Sequence, residues 1–288
     1  MKKVLVSALL LFGLLVQAQI GQVTVAPKRL VFEDGTRRAE VALINESDQQ
    51  TRFRIQVVEM AMNELTQLVD LETTPEDSAA KMIRYSPRSV VLEPRGKQVI
   101  RLFVRIPNGL ADGEYRSHLQ FVAEPDLDAL PEPKTKDGES GFSSRLIPLY
   151  ALSIPVIVRV GETGGTVTLK EAKWAPLQGN PTTPTVVMLD AERHGNQSFY
   201  GDVSIQFKND QSGEETVFFQ RKGIALYTTL DQYKLAFPLN PPPGFEGGTG
   251  QLHVLYASRE GQVWIDQRIP MTASFTETKA KTVDVKTY

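Results

Sequence analysis

The side chains that most often carry catalysis or bind metals are few and scattered in this sequence. Its three histidines, His118, His194 and His253, lie far apart, with no His-x-His or His-x-x-x-His spacing. A zinc site needs three or four converging ligands, and a nucleophilic triad needs a base held beside its serine or cysteine. There is no cysteine at all. Aspartate and glutamate sit mainly in turn clusters such as Asn45-Glu46-Ser47-Asp48, whereas glycoside hydrolysis needs a pair of acids across a cleft. Gly244-Phe245-Glu246-Gly247-Gly248 precedes no helical pattern, so it reads as a turn and not as a phosphate cradle. The sequons at Asn45 and Asn196 are explained by the ordinary use of asparagine in turns. The residues therefore predict no catalytic group, no metal, no cofactor and no small-molecule substrate.

Charge and the N-terminus narrow the classes further. The formal net charge of the 288 residues is −2, which does not fit a nucleic-acid binder. Lys2 and Lys3 precede an apolar run from Val4 to Val16, and Val16-Gln17-Ala18 supplies small residues at −3 and −1 of a cleavage site. This is the layout of a cleavable secretory signal over residues 1–18, too short for a comfortable membrane span. Cleavage would leave 288 − 18 = 270 residues, about two domains, and would remove two lysines, taking the net charge from −2 to near −4. Without cysteine, an exported chain of this kind must be stabilised by its cores and not by disulfides.

The remaining sequence reads as short β-branched and aromatic runs separated by turn residues. In Arg52–Met62, Phe53, Ile55 and Val57 fall on one face and Arg52, Arg54 and Gln56 on the other, the period-two pattern of a half-buried strand. Val23–Phe32 reads as one run, and Glu93-Pro94-Arg95-Gly96 and Pro107-Asn108-Gly109 as turns. Residues 124–144 form a long polar stretch, and Gly161-Glu162-Thr163-Gly164-Gly165 is the best boundary. With no long amphipathic helix, the pattern predicts an all-β protein of two immunoglobulin-like sandwiches. The expected division is an N-terminal domain over 19–160, a C-terminal domain over 161–276 and a polar tail over 277–288.

One run is distinctive. From Leu146 to Val158 the chain is apolar on both parities, with bulkier even positions (Leu146, Tyr150, Leu152, Ile154) and two prolines, Pro148 and Pro155. Proline donates no ladder hydrogen bond and belongs at a sheet edge or bulge. So apolar an edge is hazardous unless it is covered or pairs with another chain. Two readings stand: an ordinary core strand between two domains, or a strand offered to a partner.

Taken in order, these pieces resemble the periplasmic chaperones of the chaperone–usher pathway, in its divergent branch. The likeness is carried by Pro27-Lys28-Arg29-Leu30-Val31-Phe32, Val41-Ala42-Leu43-Ile44-Asn45, Tyr85-Ser86-Pro87, Val91-Leu92-Glu93-Pro94, Gln98-Val99-Ile100-Arg101 and Gly113-Glu114-Tyr115-Arg116-Ser117. It continues through Ile154-Pro155-Val156-Ile157-Val158-Arg159, Gly195-Asn196-Gln197-Ser198 and Gly201-Asp202-Val203. The resemblance implies two angled immunoglobulin-like domains and a non-enzymatic, ATP-independent role in the periplasm. It implies a pilus or fimbrial subunit as partner and delivery to an outer-membrane usher, and leaves open whether free chains cap their edge strands by self-association. Its donor strand would be Leu146–Val158, with Leu146, Tyr150, Leu152 and Ile154 filling the groove of a subunit that lacks a strand. It also implies a cationic anchor for the subunit's C-terminal carboxylate. Arg29 matches the family's arginine; the competing reading is a solvated strand charge beside Lys28. The family's lysine has no match, because Pro155 stands at its position, and Arg116 is the substitute candidate. The alternative from another class is an exported immunoglobulin-like structural or adhesive surface protein.

Overall fold

The computed structural model describes residues 23–63, 66–124, 150–177, 180–245 and 247–274. The predicted signal over 1–18, nearly all of the polar stretch 124–144, the start of the apolar run with Leu146, and the tail over 277–288 lie outside the described residues. No helix occurs among those described.

The first half contains β1 (Val23–Ala26), β2 (Leu30–Phe32), β3 (Arg38–Asn45), β4 (Thr51–Val58), β5 (Met60–Met62), β6 (Leu68–Asp70), β7 (Ile83–Ser86), β8 (Ser89–Leu92), β9 (Lys97–Val104), β10 (Gly113–Glu124) and β11 (Ala151–Val160). They build a sheet of order β1-β3-β9-β7 and a sheet of order β2-β11-β10-β4-β8, with β5-β6 as a separate hairpin. The second half contains β12 (Gly165–Leu177), β13 (Asn180–Gly195), β14 (Phe199–Asn209), β15 (Glu215–Leu226), β16 (Gln232–Pro238), β17 (Gly247–Ala257) and β18 (Val263–Ser274). These form sheets β12-β13-β16 and β15-β14-β17-β18.

Alternation sets the faces. In β3, Val41, Leu43 and Asn45 are buried, while Arg38 and Glu40 are exposed. In β16, Tyr233, Leu235 and Phe237 point in, while Gln232, Lys234 and Ala236 point out. One core gathers Phe32, Leu43, Phe53, Leu119 and Phe121; the other gathers Leu189, Ile205, Phe207, Tyr233 and Tyr256. Each is a two-sheet sandwich closed by its inward faces.

Two runs that read as single strands are broken. Val23–Phe32 splits at Pro27: β1 pairs antiparallel with β3, whereas β2 pairs parallel with β11 in the opposite sheet. Proline has no N–H for the ladder, so this is where the chain changes sheets. Arg52–Met62 breaks at Glu59, whose carboxylate accepts from Ser78 and Ser117 at 2.7 and 2.9 Å, and the chain continues into the β5–β6 hairpin. The hairpin leans on the second sandwich, since Met62 belongs to that core.

Between the sandwiches, β11 ends at Val160 and β12 begins at Gly165. Gly161 has φ of 61°, and a Cβ there would collide with the Asp112 carboxylate. Glycine is required at this point for both reasons.

Candidate functional site

β11 lies between β10 and β2, but β2 covers it only over Val156–Val158. Ala151–Pro155 has no strand on its outer side among the described residues. Its phase follows from one bond. Ala123 donates its N–H to the Tyr150 carbonyl at 2.8 Å, and the β10–β11 register runs without a shift from Val122↔Ala151 to Gly113↔Val160. Backbone groups alternate in direction along an antiparallel strand, so even-numbered residues of β11 bond to β10 and odd-numbered ones turn outward. Ala151 and Ser153 therefore present N–H and C=O to the free edge, and Pro155 presents a carbonyl alone. Pro155 thus sits where a missing donor breaks no ladder bond, just before β2 takes over at Val156.

Side chains divide by the same parity. Ile154, Val156 and Val158 are in the first core, so the structure corrects one predicted groove-filling residue: Ile154 is 4% exposed and packs into its own sandwich. Tyr150 and Leu152, of the same parity but nearer the end of the sheet, are 42% and 38% exposed. Of the odd positions, Ile157 contributes to the second core and Arg159 Nη2 donates to the Ser198 carbonyl at 3.5 Å.

On that odd face lies a cationic cleft. Arg29, in the link between β1 and β2, has its guanidinium carbon 4.6 Å from the Tyr200 ring centroid and 5.9 Å from that of Tyr227. Its Nη2 donates to Ser198 Oγ at 3.1 Å, and its buried Nη1 has no partner. Arg116, on β10, is 5% exposed and lies 3.8 Å from the Tyr227 centroid. Its Nη2 donates to the Met60 carbonyl at 3.3 Å, and its buried Nη1 is likewise unpartnered. Burial lowers the pKa of both guanidiniums, opposed by the electron-rich Tyr227 and by Glu114, yet arginine stays charged. Neither has a carboxylate ion-pair partner among the described residues, whereas the nearby Arg159 is paired to Glu33 at 2.6 Å and to Glu114 at 3.3 Å. Two desolvated cations sharing one aromatic ring, each with a buried N–H lacking a partner among the described residues, form a cationic cluster between the sandwiches.

Pro155 is opposite His118, and the next rung on this face pairs Ile157 with Arg116. A long arginine side chain on β10 reaches the cleft from the neighbouring strand.

Several residues of the cleft were not predicted from the sequence. Ser198 and Glu114 join the domains, while Tyr200 and Tyr227 floor the arginines. The first two lay inside stretches quoted for the family resemblance. The tyrosines carried no signal, because their role depends on a fold that brings β14 and the end of β15 against Arg29. His118 is fully buried with no partner on either ring nitrogen, and burial followed by the Arg116 charge lowers its pKa to about 3. His194 approaches Glu192 at 3.3 Å and His253 approaches Asp266 at 2.8 Å; no cluster suited to a metal occurs among the described residues. A groove of about 600 Å3 on the outer face of β3-β9-β7, lined by Arg38, Tyr85, Arg101 and Phe103, lies away from the cleft.

No family model and no curated protein sequence matches the chain. Solved structures do. The CsuC–CsuE chaperone–tip adhesion subunit complex from archaic chaperone-usher Csu pili of Acinetobacter baumannii aligns with TM-score 0.43 and 13% identity, covering 88% of this chain and 99% of that one. The Salmonella enterica SafA pilin–SafB chaperone complex aligns with TM-score 0.39 and 15% identity, covering 88% and 98%. The Pseudomonas aeruginosa CupB2 chaperone aligns with TM-score 0.38 and 12% identity, covering 88% and 100%.

Proposed function

We propose that this chain is a periplasmic, non-enzymatic chaperone that binds pilus or fimbrial subunits lacking one strand and passes them to an outer-membrane usher. One observation carries the reading: the edge of Ala151–Pro155, uncovered among the described residues, adjoins two buried arginines with no carboxylate partner among those residues. An added strand would take backbone hydrogen bonds from the outward groups of Ala151 and Ser153. Tyr150 and Leu152 would fill the partner's groove, and a terminal carboxylate would be held by Arg29 and Arg116. Burying two such side chains contributes several kcal/mol at ~25 cal/mol per Å2, before the cost of association.

The test is co-expression with small exported β-proteins, followed by periplasmic extraction. An equimolar soluble complex is the expected result. Recovery of the chain alone, displayed on the cell surface, would favour the adhesive alternative.

A further inference from the structure

The face of the donor sheet that carries Arg116 also carries a row of hydrogen-bonded side chains that ends at the free edge. Gln56 on β4, Gln120 on β10 and Ser153 on β11 are direct cross-strand neighbours. Gln56 Nε2 donates to Gln120 Oε1 at 2.7 Å, and Gln120 Nε2 donates to Ser153 Oγ at 3.3 Å.

The row has a direction, set at its inner end. Arg54 Nη1 donates to Gln56 Oε1 at 2.5 Å. A guanidinium has no acceptor, so the Gln56 amide must turn its oxygen to Arg54 and its nitrogen to Gln120. Gln120 must then offer its oxygen to Gln56 and its nitrogen to Ser153. Every donor points toward the open edge, and such chains polarise each other in one sense. The Ser153 hydroxyl accepts from Gln120 and has no further partner among the described residues, so its own proton is left to donate beyond the sheet.

Resting on the strand-addition reading above, we propose that Ser153 is a specificity-determining residue: its hydroxyl selects a hydrogen-bond acceptor, such as a glutamine or asparagine carbonyl, on the strand that adds to β11. The outward backbone of Ser153 places an incoming residue directly opposite, so the row would gain a fourth rung. An apolar residue there would leave the hydroxyl proton unsatisfied as the edge is covered, and so would a lysine, which has no acceptor to offer it. The row would thus fix register where backbone pairing alone tolerates sliding.

The experiment titrates the full chain with soluble strand peptides Lys-Thr-Val-X-Val-Thr-Lys, X being Gln, Leu or Lys, and follows the amide signals of Ala151 and Ser153 by NMR. The expected result is binding of the Gln peptide about three- to tenfold tighter than Leu or Lys, the worth of one hydrogen bond. The preference should vanish in Ser153→Ala and return in Ser153→Thr. Ser153 is partly exposed, so urea midpoints of both variants should match wild type. Binding of all three peptides with equal strength overturns the selector role alone. Absence of shifts at Ala151 and Ser153 with every peptide overturns strand addition, and the selector role with it.

Discussion

Ser198 donates twice to one carboxylate oxygen of Glu114, through its backbone N–H at 3.0 Å and its hydroxyl at 2.8 Å, tying the second sandwich to the first. The same oxygen receives Arg159 Nε at 3.3 Å, and Ser198 Oγ accepts from Arg29. Glu114 is thus a buried acceptor on which domain contact and cleft geometry both depend. Glu114→Ala leaves the Ser198 donors without their acceptor and Arg159 with Glu33 alone, and removing one member of a buried pair costs about 3–5 kcal/mol. The expected outcome is loss of a single cooperative urea transition in favour of two, with Glu114→Gln intermediate. Fluorescence of Trp174 and Trp264, both in the second sandwich, compared with far-UV circular dichroism would resolve the two steps.

Arg29 and Arg116 invite the opposite expectation. Both are desolvated without a carboxylate partner among the described residues, so the fold gains little from their charge. Arg29→Met and Arg116→Met should leave stability within about 1 kcal/mol of wild type or raise it, since apolar replacements of buried charges are often neutral or stabilising. Each should nevertheless lose a co-purifying subunit, and Arg29→Lys should recover it only partly, because an ammonium lacks the planar fork. Urea midpoints measured beside pull-down yields check both halves. Unfolded variants would make the arginines structural.

The all-β architecture was legible because alternation is local: Phe53, Ile55 and Val57 face one way whatever surrounds them. The free edge was legible in part, since proline inside an apolar run points to an edge. Which even residues stay available was not. Ile154 and Leu152 share parity and chemistry, and only the extent of the opposing sheet decides that one is buried and the other exposed. The cleft was least legible. Arg29, Arg116, Ser198 and Tyr227 are joined by contacts spanning the two domains, which no local period encodes.

His118 makes stability depend on pH. Its pKa is lowered to about 3 in the folded chain by burial and by Arg116, against an ordinary value of 6.5. Above pH 6.5 neither state binds the proton. Between 6.5 and about 3 the unfolded chain binds it and the folded chain does not, so stability falls as pH falls, with a slope approaching about 1.4 kcal/mol per pH unit. His118→Leu should flatten that part of the curve and also remove two unpartnered nitrogens from the interior. Urea midpoints at pH 7.5, 6, 5 and 4 give the slopes, and equal slopes in the two proteins would show that other groups set the acid limit.

Leu152 and Ile154 provide the sharpest separation of folding from binding, because the same substitution at the two should fail for different reasons. Ile154 touches the first core and is 4% exposed, so Ile154→Asp buries an unpaired charge and should unfold the first sandwich. Leu152 is 38% exposed at the uncovered end of the strand, opposite Phe121, and an aspartate there keeps its water. Leu152→Asp should therefore change stability by no more than about 1 kcal/mol. In a partner's groove that carboxylate would lose its water with no cation supplied, so the subunit complex should fall below detection. Tyr150→Asp should behave like Leu152→Asp, since it shares that face and is 42% exposed. Periplasmic subunit levels, read beside circular dichroism of each purified variant, separate the two failures. A folded Leu152→Asp protein that still accumulates subunit would leave this strand a structural role only.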